Sequence, residues 1–278
     1  PLVAAMLAFG GILPFDSFIL LALGSLTGMF AVFALNDYLD FPLDRKGSAV
    51  RASKEWDIDS TITLHPYAQG MVTQTQQLAW IGINTFITIL ILHSFSDFAL
   101  ALFFLAIILE TIYCTLATKT KWKGILAGLI VSMGGFIGWF AVGGDFNYSV
   151  LLWLGLVYFC WEIGGRNIPN DMADYSPDRQ KGIRTLATRH GLKHSTWLVL
   201  VFAMLTILAN GMMSSAAQLG KEYLFFTTLA GVYLLLLPAR TLIQNPTSTQ
   251  ALKYFNKASL FPVAMWVGLI LIYGMTKI

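Results

Sequence analysis

The sequence predicts an all-α, polytopic membrane protein that crosses the bilayer nine times. Three observations carry this expectation. Hydrophobic residues make up 56% of the chain and charged residues only 12%, where an ordinary soluble domain carries about 25% charge. Mean hydropathy is +0.66. The apolar residues also form continuous runs, most of them near the roughly 20 residues that span the hydrocarbon, not the alternating pattern of a β-barrel.

The runs fall at 1–13, 16–41, 74–93, 97–117, 124–142, 149–171, 196–215, 221–243 and 258–277. The first is short, and Pro1 opens onto it without a charged leader, so further N-terminal residues are expected to precede it. Connections alternate between tiny ones (Gly10 to Phe15, Ser94 to Ser96, Gly143 to Tyr148, Ser215 to Gly220) and longer polar ones (Asp44 to Thr73, Thr118 to Lys123, Ala173 to Ser195, Gln244 to Lys257). Of the 18 Lys and Arg residues, all but Lys221 and Lys277 belong to the long-connection side. By the positive-inside rule that side is cytoplasmic. A net charge of +3 gives no reason to expect a nucleic-acid partner. Cys114 and Cys160 each lie in an apolar run, so no disulfide framework is expected.

Two long-connection boundaries carry acids. The second run ends in NDYLDFPLD, placing Asp37, Asp40 and Asp44; the sixth ends in NIPNDMADYSPD, placing Asp171, Asp174 and Asp178. Steps of three and then four put each triplet on one helix face, with Pro42 and Pro177 disturbing the last turn. Three carboxylates repel one another, and a helix C-terminus is already partly negative. Oxygen ligands without a nearby histidine suit a hard cation, Mg²⁺ or Ca²⁺. Mg²⁺ typically takes one or two carboxylates together with substrate phosphates, and the basic loops here suit phosphate.

The pair NDYLDFPLD and NDMADYSPDRQKGIRT resembles the two aspartate-rich motifs of the UbiA superfamily of intramembrane prenyltransferases. The resemblance runs along the whole chain, residues 1–278, as one transmembrane prenyltransferase domain. It implies nine helices around a central cavity and a polyprenyl diphosphate held through Mg²⁺ by both motifs. Asn36, Asp37, Asp40 and Asp44 would form one half-site, and Asp171, Asp174 and Asp178 the other, with Asn167 a turn before. The segment TIYCTLATKTKWKG is similar to the family's fourth-span ending and nominates Tyr113 and Lys119. After the first motif the chain departs from the family's usual Arg-Pro and Ser-Gly pattern, reading RKGSAVRASKEWDIDS.

The implied reaction moves a polyprenyl group from its diphosphate to an aromatic, lipoquinone-type acceptor, in the membrane and on its cytoplasmic side. Metal and cationic side chains would stabilise charge on the leaving oxygen. Arg166 and Lys181 join Lys119 as candidates; Lys121, Lys123, Arg179 and Arg184 also lie near the motifs. Arg166 is also an i,i+4 partner for Glu162. Aromatic faces attract a carbocation, and Tyr38, Tyr113, Tyr158, Phe159 and Trp161 are placed for that. Glu110, deep in the fourth run, is a further intramembrane acid. Two rival readings stand beside this one. A cyclase of the same superfamily would act on the prenyl diphosphate alone. A cation-coupled transporter would hold its acids nearer mid-membrane, on broken helices.

Overall fold

The computed structural model describes residues 1–44, 66–116 and 118–275, apart from the side chains of Leu43 and Asp44. Every regular element among them is helical. In chain order these are α1 (Leu2–Phe9), α2 (Phe15–Asp44), α3 (Gln74–Phe95), α4 (Asp97–Thr115), α5 (Lys123–Ala141) and α6 (Tyr148–Trp161). A π-helical stretch, Glu162–Asn167, leads into α7 (Ile168–Ala173), α8 (Tyr175–Lys181), α9 (Leu186–His190), α10 (Leu192–Ala216) and α11 (Gly220–Gly231). A second, Val232–Leu236, leads into α12 (Leu237–Gln244), followed by α13 (Ser248–Ala258) and α14 (Phe261–Met275).

Eight helical passages among the described residues are long and apolar enough to cross a membrane. The ninth expected run is α1, which has only eight residues. Its Val3 to Leu7 are nonetheless buried, and it packs against α5.

The last span begins earlier than its hydropathy indicates. The expected run starts at 258, whereas the helical passage is Ser248–Met275. Residues 248–257 read as polar because α13 is amphipathic. It buries Ala251, Leu252, Tyr254, Phe255 and Ala258 against the bundle while Lys253 and Lys257 face outward. The Thr247 hydroxyl caps it, accepting from the Gln250 N–H at 3.2 Å. The seventh span likewise starts at Leu192 rather than 196.

Lipid offers no hydrogen bonds, so polar groups in the spans pair within the protein. Thr27 and Thr88 bond at 2.8 Å between α2 and α3. Gln77 donates to the Ala34 carbonyl at 2.7 Å in the same interface. Asn210 donates to Thr227 at 2.8 Å between α10 and α11, and Ser132 to the Gly155 carbonyl at 2.9 Å between α5 and α6.

Glycines let the neighbouring helices approach. A Cβ on Gly135 would lie 2.7 Å from the Tyr158 ring, and one on Gly128 would lie 2.7 Å from that of Phe159. Gly164 is pressed against Phe202 of α10. These contacts bring the α6 passage between α5 and α10, which aims its acidic end.

Both π-helical stretches have the same cause. Each runs into a helix with proline at its start, Pro169 in one and Pro238 in the other. Proline lacks the N–H for an i−4 bond, and its ring crowds that carbonyl. The helix takes a wider turn: Ile168 N–H bonds the Ile163 carbonyl and Leu237 N–H the Val232 carbonyl, five residues back.

Gly164→Ala should overpack the α6–α10 contact and cost about 1–3 kcal/mol. The measurement is the thermal midpoint of the purified protein in detergent. An unchanged midpoint would mean that α10 yields without cost.

Candidate active site

The first acidic motif closes α2. Asp37 is buried, and its Oδ2 accepts from the Tyr67 N–H at 2.9 Å. The Tyr67 ring lies against those of Phe41 and Tyr38, at 4.6 and 5.7 Å, so the chain returning from residue 66 folds over the motif. Asp40 is half-buried. Asp44 belongs to α2, but its side chain lies outside the described residues, as do Arg45, Lys46, Arg51 and Lys54.

The second motif spans α7 and α8. The expected single helix face is interrupted, because Asp174 caps the C-terminus of α7 and α8 begins at Tyr175. The three acids still share one environment. Burial, and then the charges of Asp171 and Asp174, push the Asp178 carboxyl up to about 8, against the pull of Lys123 and Lys181. Lys181 thus lies close enough to act on Asp178.

The end of α4 joins the two motifs. Asn36 donates to Glu110 Oε1 at 2.9 Å and to Cys114 Sγ at 3.4 Å. On an adjacent face Asn167 donates to the Tyr113 hydroxyl at 3.5 Å. Asn167 reaches this position over Gly124, where a Cβ would come within 2.5 Å of its Oδ1. Glu110 therefore ties the first half-site to α4, and Tyr113 ties the second.

Lys123, grouped in the sequence with the other basic residues near the motifs, stands apart in the structure. It opens α5 and is 9% exposed, with Nζ 5.0 Å above the Tyr113 ring. Its ammonium attracts both Asp171 and Asp178. In the sequence it is one of three lysines in KTKWK. Only the start of α5 turns it inward, and no local pattern separates it from Lys119 and Lys121.

Two expected residues sit elsewhere. Lys119 is exposed, and its carbonyl accepts from Arg184 at 3.1 Å. It lines an open surface cavity of about 380 Å³ with Lys121, Trp122, Arg184, Arg189 and His190. Arg166 turns toward the last span. It pairs with Glu162 at 3.4 Å, donates to Ser259 at 2.9 Å and lies 4.8 Å from the Phe255 ring. Three of the expected cation-stabilising aromatics have packing roles. Tyr158 and Phe159 fill the glycine notches, and Trp161 Nε1 donates to the Ala258 carbonyl at 2.8 Å.

Among the described residues, no three His, Cys, Asp or Glu side chains form a ready-made metal cage. Two opposed sets of carboxylates with a buried lysine fit Mg²⁺ better, since it completes its octahedron with water and substrate phosphate.

Comparisons with known proteins identify the family and the fold. A family model described as the UbiA prenyltransferase family matches residues 1–267. The chain is 28% identical over 220 residues to a mitochondrial 4-hydroxybenzoate polyprenyltransferase of Arabidopsis thaliana, covering 79% of this chain and 51% of that one. It thus spans about half the length of the curated relatives it matches. The apo structure of a UbiA homolog from Aeropyrum pernix K1 superposes with a TM-score of 0.76 at 17% identity, covering 97% and 94% of the two chains. A UbiA homolog from Archaeoglobus fulgidus, bound to DMAPP and Mg²⁺, gives 0.68 at 13% identity, covering 96% and 93%.

Lys123→Met should leave the acids of the second motif uncompensated and lower stability by about 3–5 kcal/mol. Adding Asp171→Asn should recover most of that loss, read as thermal midpoints in detergent. Additive losses would remove the charge pairing from the account.

Proposed function

Because the chain belongs to the UbiA prenyltransferase family and is an integral membrane protein, we propose that it transfers a polyprenyl group from a prenyl diphosphate to an aromatic acceptor. The observation that carries this reading is that Asn36 and Asn167, each next to one acidic motif, both bond the α4 end, with Lys123 buried beside the second motif. The Arabidopsis relative's name supports the aromatic acceptor, and the Archaeoglobus structure supports the diphosphate and its metal.

Asp37, Asp40 and Asp44 would hold Mg²⁺ on one side, and Asp171, Asp174 and Asp178 on the other. When bound, Mg²⁺ supplies neutralisation of the diphosphate oxygens. Lys123 and Lys181 add positive charge where the leaving oxygen gains its electron pair. The allylic C–O bond breaks heterolytically, diphosphate departs, and a ring carbon of the acceptor attacks the cation and then loses its proton. Tyr113, whose ring lies 5.0 Å from the Lys123 ammonium, would offer an aromatic face to the cationic carbon. Asn36 and Asn167 fix the α4 end between the half-sites.

Replacing Asp40 or Asp174 by alanine should each abolish transfer from a radiolabelled prenyl diphosphate to 4-hydroxybenzoate and weaken Mg²⁺-dependent diphosphate binding. Lys123→Met should lower turnover at least a hundredfold, the usual cost of losing one preorganised charge-stabilising donor (~10²–10³). Full activity in either aspartate variant would sink the shared site.

On this reading the site would lie on the cytoplasmic side, supported by the sorting of Lys and Arg. Cysteines replacing Asn245 and Gln218 test this, since both positions are exposed at opposite ends of the Gly220–Gln244 passage. Cys114 and Cys160 are buried and give little background. An impermeant maleimide on intact cells should label the cysteine at 218, and that at 245 only after lysis. The reverse pattern would invert the orientation.

A further inference from the structure

Tethering α2 to α4 does not require an acid, yet the tether, Glu110, is one. It is buried and, by helix rise, lies roughly 8 Å inside the Thr115 end of α4, a depth at which a carboxyl is expensive. Between α2 and α3 neutral groups suffice, Thr27 with Thr88 and Gln77 with the Ala34 carbonyl. What a carboxylate adds is polarity. Its oxygens accept, whereas the side chains of Thr, Ser and Gln can both donate and accept.

Glu110 Oε1 accepts from Asn36 Nδ2 at 2.9 Å and from Cys114 Sγ at 3.8 Å, and Asn36 Nδ2 also donates to Cys114 Sγ at 3.4 Å. Glu110 and Cys114 are one turn apart on α4, so both draw on the NH2 edge of the amide. The planar amide puts its carbonyl oxygen, Oδ1, on the other edge. Asn36 precedes Asp40 by one turn on the same face of α2, and the charge of Asp40 reaches Cys114. The trio therefore sits one layer below the Asp40 carboxylate. Asn167, one turn before Asp171, is held differently. Its Nδ2 donates to the Tyr113 hydroxyl at 3.5 Å and its Oδ1 lies over Gly124, so its carbonyl faces α5.

We infer that Glu110 is a positioning residue for the metal site, fixing the Asn36 amide so that its carbonyl oxygen is presented beside Asp40. Were the amide reversed, Oδ1 would meet Oε1, two acceptors in contact, and the NH2 edge would face the cation. Without Glu110 the Cys114 thiol can donate to Oδ1 and favour that reversed state. The buried acid thus decides which end of a neutral side chain reaches the ligands.

This inference rests on reading the two motifs as a Mg²⁺–diphosphate site, and the test separates the two. The whole protein in detergent is titrated with Mg²⁺ while binding of radiolabelled geranyl diphosphate is measured, with no acceptor present. The parent should bind in a Mg²⁺-dependent way; absence of that binding would remove the site reading and this inference with it. In Glu110→Leu the half-saturating Mg²⁺ concentration should rise about tenfold, the value of one hydrogen bond to a charged group. The diphosphate bound at saturating Mg²⁺ should equal that of the parent. Glu110→Gln keeps the shape but can meet Asn36 with either end, and should fall between the two. Asn36→Ala should raise the half-saturating Mg²⁺ at least as far, and adding Glu110→Leu to it should raise it no further. A parent-like titration in Glu110→Leu would overturn the inference and leave the site reading intact. Additive effects of the two substitutions would overturn it as well, since Glu110 would then act by some route other than Asn36. Should Glu110→Leu fail to fold, a parent-like titration in Glu110→Gln overturns it instead.

Discussion

Charge confined at the edge of a membrane is the constraint around which this structure is arranged. Acids at the ends of two spans repel one another and the helix dipoles beneath them, and bulk water is not there in quantity to screen them. Lys123 answers part of that repulsion from the start of α5. On the proposed reading, a divalent cation and a multiply charged anion bound together would answer the remainder.

The packing serves that arrangement. The glycine notches in α5 are filled by Tyr158 and Phe159 of α6, so the helix carrying the second motif cannot slide without expelling an aromatic ring. Gly124 leaves space for Asn167 alone. Asn36 and Asn167 then grip the α4 end through side chains of matching type.

Much of this is legible in the sequence, for physical reasons that can be named. Long apolar runs must be helices in lipid, and equal DxxDxxxD spacing at two helix ends marks a pair of half-sites. The failures are equally specific. Residues 248–257 resemble a loop because α13, packed against the bundle along one side, needs only one apolar face. Lys119 and Lys123 are indistinguishable in KTKWK, since burial is decided by where α5 begins and by the Tyr113 ring across from it. Arg166 looked equally placed for a ligand and for Glu162. It pairs with Glu162 and reaches Ser259 and Phe255 as well, and hydropathy carries no trace of the widened turn it sits on.

That widened turn also sets a limit on how the chain can vary. A π-helical stretch holds one residue more than the α-helix that would occupy the same length. Losing a residue between Glu162 and Asn167 would let the helix revert to regular winding with its hydrogen bonds intact and its apolar surface little changed. Everything beyond it would rotate by about 100°, carrying Asp171 away from Lys123 and Asn167 from Tyr113. Such a chain would insert, fold and pack almost as before, with the two halves of its site facing different directions.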